Sequence, residues 1–242
     1  MTELLYQTDS YLREFSAQVV AVDEATHAVA LNRTAFYPGG GGQPHDLGWL
    51  ETAGQQFPVI GFTHVDDTLW HVLELPAGTT LPAVGSQVQG RLNWERRYAL
   101  MRTHTALHIL CGVIWRDYGA QVTGGNMEPG QARMDFEFER MRGELVREIE
   151  RKINEEVAAA REVRVRILPR EEAFQIPDLI RTKINLLPPH ISQVRIVEIV
   201  GLDLQADGGT HVANTHEVGP IQIIDYKSKG RMNKRLVIAL RE

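Results

Sequence analysis

Two histidines one helical turn apart, in "RTHTALHIL" (102–110), and an aspartate and a histidine at the same spacing, in "DGGTHVANTHEVG" (207–219), are the residues of this chain best able to do chemistry. On a helix, positions four apart project to the same side, so His104 and His108 can share one metal ion. Asp207 and His211 repeat that separation in a segment carrying two glycines. Three imidazoles and one carboxylate suit zinc. A single histidine on an apolar helix face is usually a core residue. Two of them, with a second ligand pair elsewhere, favour the metal. Cys111 shares the helix face but lies about 10 Å along the axis from His104, at about 1.5 Å per residue. It reads as a core side chain, and His216 as a surface loop residue. A metalloprotease site is weakly supported, because its motif needs a glutamate after the first histidine and Thr105 stands there.

Positioning these groups requires a helix, a loop and the sheets that hold both. Over the first 90 or so residues, "AQVVAV", "HAVALN", "FPVIGFTHV" and "TLWHVLEL" are short runs of Val, Ile, Leu and aromatics, the pattern of strands. Among them lies "TAFYPGGGGQPHDLG" (34–48), with glycines at 39–42 that no strand interior tolerates. The pattern turns helical from Trp94 to about Tyr118, with Asn93 as N-cap and Leu100, His104, Leu107, His108, Cys111 and Ile114 along one face. "QARMDFEFE" alternates as a strand, and "RGELVREIERKINEEVAAARE" is a long charged amphipathic helix. "VRVRIL", "QVRIVEIV", "PIQIIDYK" and "KRLVIAL" read as strands, the last two as a hairpin. The expected fold class is α+β: a small β-barrel-like module over 1–92, then an α+β domain over 93–242 with an antiparallel sheet packed by helices.

The 242 residues are 43% hydrophobic and 24% charged, ordinary for a globular protein. No apolar run approaches the roughly 20 residues that span a bilayer. The N-terminus lacks the basic and apolar regions of a secretory signal, and one cysteine permits no intrachain disulfide. A cytoplasmic monomer with no membrane partner is the expectation. Net charge is −5, which argues against a uniformly basic nucleic-acid binder. One run departs from that balance. "YKSKGRMNKR" (226–235) holds Lys227, Lys229, Arg231, Lys234 and Arg235 with no acid among them, and such a run invites an anionic partner.

"HTALH", "DGGTH" about 100 residues later and "TAFYPGGGGQPHDLG" upstream together resemble the editing domain of alanyl-tRNA synthetase. They resemble still more the free-standing alanyl-tRNA editing proteins of the AlaX type, medium-length class, over nearly the whole chain. The resemblance implies a zinc-dependent aminoacyl-tRNA deacylase that removes serine, and often glycine, wrongly attached to alanine tRNA. It places zinc on His104, His108, Asp207 and His211. The family's second motif commonly begins with cysteine. Asp207 keeps the negative charge but is a harder donor, so the metal should be a stronger Lewis acid and less tightly held. The resemblance also makes Thr34 the candidate for reading the serine hydroxyl, with Gly40, Gly41, Gly42 and Asn126 along the substrate pocket. The 226–235 cations would contact tRNA phosphates. Failing that, the tRNA surface would fall to the arginines around 91–102 and 161–170. Two other readings remain open: a non-catalytic tRNA-binding module with a structural zinc, and a synthetase fragment acting in trans. The start at Met1 and the complete N-terminal module weigh against the fragment.

Overall fold

A computed structural model describes residues 2–66, 68–182 and 191–241. The chain divides into two compact units, one of residues 1–40 and 44–98, the other of residues 41–43 and 99–242.

The first unit is a closed antiparallel barrel of six strands, in the order β2 (Glu14–Asp23), β3 (Ala28–Leu31), β7 (Thr68–Leu73), β6 (Gln55–Val65), β5 (Gly48–Thr52) and β8 (Gln87–Leu92). Closure leaves no free strand edge. A short parallel pair, β1 (Glu3–Leu4) with β4 (Arg33–Thr34), accompanies it. Side chains at alternate strand positions fill the interior, among them Phe15, Val19, Leu50 and Phe57, joined by Phe36 from the segment after β4. The helix α1 (Trp94–Tyr118) starts in this unit, with Asn93 Oδ1 accepting the Arg96 N–H at 3.1 Å. One turn in, Arg97 is fully buried. Its guanidinium grips the Asp46 carboxylate and donates to the carbonyls of Ser10 (2.9 Å) and Ala35 (2.6 Å). A buried pair satisfied this way is expensive to break, about 3–5 kcal/mol when one partner is removed.

The second unit holds a four-stranded antiparallel sheet, in the order β14 (Ile221–Ser228), β15 (Asn233–Leu240), β10 (Gln131–Glu137) and β9 (Val122–Glu128). A three-stranded antiparallel sheet joins β11 (Val163–Pro169), β12 (Gln193–Ile199) and β13 (Asp203–Ala206). The helix α2 (Gly143–Ala158) buries Val146, Ile149, Ile153 and Val157, one stripe at helical spacing, and a short α3 (Arg170–Ala173) follows β11. Asn154 of α2 clips the start of β14, donating to Ile221 O (2.8 Å) and accepting its N–H (2.9 Å).

α1 differs from the sequence reading in one respect. Its apolar stripe was expected on one face, yet every residue from Thr103 to Ile114 is buried. Thr103, Thr105 and Ala106 fill the remaining faces. Small or singly polar side chains satisfied locally cost little to bury: Thr103 Oγ1 donates to Ala99 O at 2.7 Å. The helix is thus a central post of the second unit, and His104 and His108 start from rigid backbone.

Candidate metal centre

His104 and His108 leave α1 from successive turns, while Asp207 and His211 come from the loop that follows β13. One potential ligand atom from each of the four lies within 4.8 Å of all the others. The second nitrogen of each ring is already committed. His104 Nδ1 donates to Gln43 Oε1 (2.9 Å) and His108 Nδ1 to Asp203 Oδ2 (3.0 Å), and His211 Nδ1 lies 3.1 Å from Thr105 Oγ1. That leaves Nε2 of each ring for the centre. His104 Nε2 is 3.5 Å from Asp207 Oδ1, and His211 Nε2 is 3.0 Å from Asp207 Oδ2. Metal-ligating histidines are oriented in this way, by a partner on the far nitrogen. The donor set therefore fits a divalent metal of the zinc class.

The electrostatics agree. Burial, with the neighbouring rings adding to it, holds His104 well below its ordinary pKa, and burial brings His211 to about 4. Burial thus favours the neutral form of both rings, the form that ligates a metal. Burial disfavours the charged form of His108 too, but the Asp203 carboxylate more than offsets it, so that pKa is raised. A carboxylate on Nδ1–H makes the opposite nitrogen a stronger donor. Burial works against the Asp207 anion, and the surrounding imidazoles overcome it, so its pKa falls well below the carboxylate range.

The loop is shaped to deliver these groups. Arg195 of β12, itself buried, donates from Nη1 to Asp207 O (3.0 Å) and Gly209 O (2.7 Å). Asp207 Oδ2 accepts the Gly209 N–H at 2.8 Å. A Cβ on Gly209 would stand 2.3 Å from His104 Cε1 and 2.6 Å from Gln43 Oε1, whereas one on Gly208 would meet nothing within 4 Å. Of the two glycines, only Gly209 is required by packing.

The glycine run has its own reason. Gly39, Gly40, Gly41 and Gly42 all have positive φ (93°, 133°, 58° and 91°), a conformation that residues with a Cβ rarely adopt. The run ends by presenting Gln43. This amide accepts from His104 Nδ1 and Thr210 N (3.0 Å) and donates to Thr210 Oγ1 (2.9 Å), so it ties the helix histidine to the loop. The sequence reading missed Gln43. Its one visible sign was a glutamine directly after four glycines.

A cavity of about 610 Å³ opens on the cluster. His104, His108 and Asp207 face it, and Leu107, Met127, Met134, Leu179 and Ile180 give it apolar walls. Gly41, Gly42 and Asn126 also line it; Gly40 does not, and its carbonyl accepts from Tyr37 Oη at 3.0 Å. Thr34 belongs to the barrel unit, fully buried, with its hydroxyl 2.9 Å from His71 Nε2 and accepting the Phe36 N–H at 3.2 Å. His216 is exposed and outside the cluster. Cys111 is buried with Gln205 Nε2 3.4 Å from its sulfur.

The five hairpin cations do not behave alike. Lys229 and Arg231 are exposed, and Lys227 is exposed but paired with Asp225 at 3.0 Å. Arg235 makes a two-pronged contact with Asp135 (2.7 and 2.8 Å). Lys234 is turned inward. It is 6% exposed, and its ammonium donates to Gly230 O (2.7 Å) and Arg231 O (2.8 Å), so it closes the hairpin turn instead of projecting from it.

Residues 194–237 match the family model of the threonyl and alanyl tRNA synthetase second additional domain, and residues 7–96 that of the class II (A) tRNA synthetases. The alanyl-tRNA editing protein AlaX-M of Saccharolobus solfataricus is 39% identical over 238 residues, 98% of each chain. AlaX-M of Methanosarcina mazei is 39% identical over 245 residues, 99% of this chain and 97% of its own. The alanine–tRNA ligase of Pyrococcus furiosus is 38% identical over 226 residues, which are 92% of this chain and 24% of that enzyme.

Proposed function

This chain belongs to the family of the AlaX-M alanyl-tRNA editing proteins, and on that premise we propose that it is a trans-editing deacylase. It hydrolyses the ester of serine, and of glycine, wrongly attached to alanine tRNA, with zinc held by His104, His108, Asp207 and His211. One observation carries the catalytic reading over a purely structural metal: the cavity opens on three of the four ligands. A structural zinc is closed on all sides, whereas a catalytic one keeps a side for substrate. Asp207 is the most exposed of the four, its side chain 16% accessible, and it is the ligand best placed to loosen. Bound there, zinc supplies Lewis acidity, to water or to the substrate's α-amino group.

The chain's own residues do the rest. Gln43, Asp203 and Thr105 hold the three rings in the tautomer that presents Nε2. The apolar wall of Leu107, Met134 and Ile180 keeps bulk water from the ester. Asn126, with the backbone of Gly41 and Gly42, supplies polar groups at the cavity edge. Thr34 bears on the choice of amino acid, a role that rests on the family resemblance. The hairpin cations Lys227, Lys229 and Arg231, with Arg235, meet the phosphates of the tRNA.

The test is deacylation by purified protein of alanine tRNA charged with serine, glycine or alanine. Serine should leave much faster than alanine. His104→Ala should lose the metal by elemental analysis and the activity with it, while Asp207→Cys should hold metal at least as well as the parent. Thr34→Val should slow serine release by an amount equivalent to about 1–3 kcal/mol and spare glycine release. Equal losses on both would mean that the hydroxyl serves the barrel through His71. Full metal content with no hydrolysis of any charged tRNA would leave a structural zinc in a tRNA-binding module.

A further inference from the structure

Antiparallel pairing brings two loops to the same end of the four-stranded sheet. Glu137, the last residue of β10, stands opposite Asn233, the first of β15, and Ser228 of β14 opposite Lys234. The loop from β10 to α2, residues 138–142, therefore leaves the sheet beside the hairpin tip, residues 229–232. Between them lies an open cleft of about 570 Å³, lined by Arg140, Arg142, Arg231 and Lys234, with Ser228 and the single carboxylate of Glu139.

The charge on this cleft is not compensated. Among the described residues, Arg140, Arg142, Lys229 and Arg231 form no ion pair, whereas their neighbours Lys227 and Arg235 are paired with Asp225 and Asp135. Lys234 at the cleft floor is held by two carbonyls and by no acid. In a chain of net charge −5, several cations around one carboxylate make an electropositive surface suited to an anion. Guanidinium groups present planar pairs of donors that match phosphate oxygens.

The cleft and the metal cavity belong to the same unit and approach each other across the sheet end. Thr123 of β9 lines that cavity, and its hydroxyl donates to Asn233 Oδ1 (3.1 Å) at the foot of the hairpin. From β9 to β15 is two strand spacings, about 10 Å at roughly 4.8 Å each. That is the reach of a few nucleotides.

We propose that this cleft, through Arg140, Arg142 and Arg231, docks the phosphate backbone of the RNA strand whose 3′ end enters the metal cavity. The proposal rests on the editing reading for the identity of the strand. The two arginines of the β10–α2 loop lie about 90 residues from the hairpin in sequence, and only the fold brings them to it.

The experiment is anisotropy of labelled, uncharged alanine tRNA titrated with the metal-loaded protein at several salt concentrations. Replacing Arg140, Arg142 and Arg231 together by Ala should weaken binding about tenfold or more and flatten the slope of log K against log salt by about 2 to 3. The Arg→Lys triple variant, which keeps the charges, should retain most of the slope; this separates lost contacts from a damaged fold, and metal content gives a second check. Arg164→Ala with Arg166→Ala on β11, where both arginines already face acids, should change the slope little. An unaltered slope in the Ala triple, or the larger loss in the β11 variant, overturns the proposal. Stronger competition by polyglutamate than by RNA of equal charge also overturns it, in favour of an acidic protein partner. Binding of uncharged tRNA needs no ester cleavage, so absent deacylation would defeat the editing reading and leave this measurement valid.

Discussion

Gln43 has one acceptor and one donor group, and both are engaged between His104 and Thr210. Neither ring nitrogen of His104 is then free to turn away from the centre. Gln43→Ala should raise the metal dissociation constant about 10–100-fold, measured by competition with a chromophoric chelator. Gln43→Glu keeps an acceptor for Nδ1–H and should lose less. Equal affinity in the Ala variant would show that α1 alone orients the ring. The histidines were legible in the sequence because a four-residue spacing on a helix and a glycine-bearing loop each limit where a side chain can go. Gln43 was not, because an amide can serve any neighbour and its partner lies 61 positions away.

Elements were legible where their own residues decide them. β2, β3, β6 and β7 of the barrel, α1, α2 and the β14–β15 hairpin follow from apolar periodicity, whereas β5 (Gly48–Thr52) was not read as a strand. β9 (Val122–Glu128), which forms a wall of the cavity, was not read as a strand. Its "VTGGNME" carries two glycines that weaken intrinsic strand preference, and it is extended because β10 pairs with it from Gln131 to Phe136. β13 is four residues long and hides beside a turn for the same reason. α2 shows what a charged helix gains from its surroundings. Burial alone would raise the pKa of Glu156, but Arg116 and Arg161 more than offset it, and the carboxylate titrates below its ordinary 4.5. A depressed folded pKa adds stability above the unfolded value and loses it as pH falls through the folded one. Glu156→Gln should therefore cost about 1–3 kcal/mol at neutral pH, with the gap to the parent closing as the pH drops below 4.5. Urea unfolding at neutral and acid pH reads this, and a gap independent of pH would refute the ionic account.

At the scale of the whole molecule, each unit has its own core, and the second takes residues 41–43 from within the sequence of the first. Composition pointed to the broad class, and the motifs pointed to four residues that the fold does bring together. Net charge was the poorest guide, since an acidic chain still gathers unpaired arginines at one sheet end. Among the described residues, no helix is long and apolar enough to cross a membrane. The candidate metal site, finally, contains no sulfur. Its four members are imidazoles and a carboxylate, and the one thiol, Cys111, is buried, which together with the nearby Asp203 charge holds its pKa well above the ordinary value and keeps it from forming the reactive thiolate. A centre with a thiolate ligand sheds its metal when peroxide converts that ligand to sulfenic acid. With zinc held as proposed, the ligands would offer peroxide nothing to oxidise along that route. Metal content should survive a dose that oxidises exposed thiols in a control protein, while Asp207→Cys should release metal under the same dose. Oxidative insensitivity would then be the counterpart of exchanging a soft donor for a hard one.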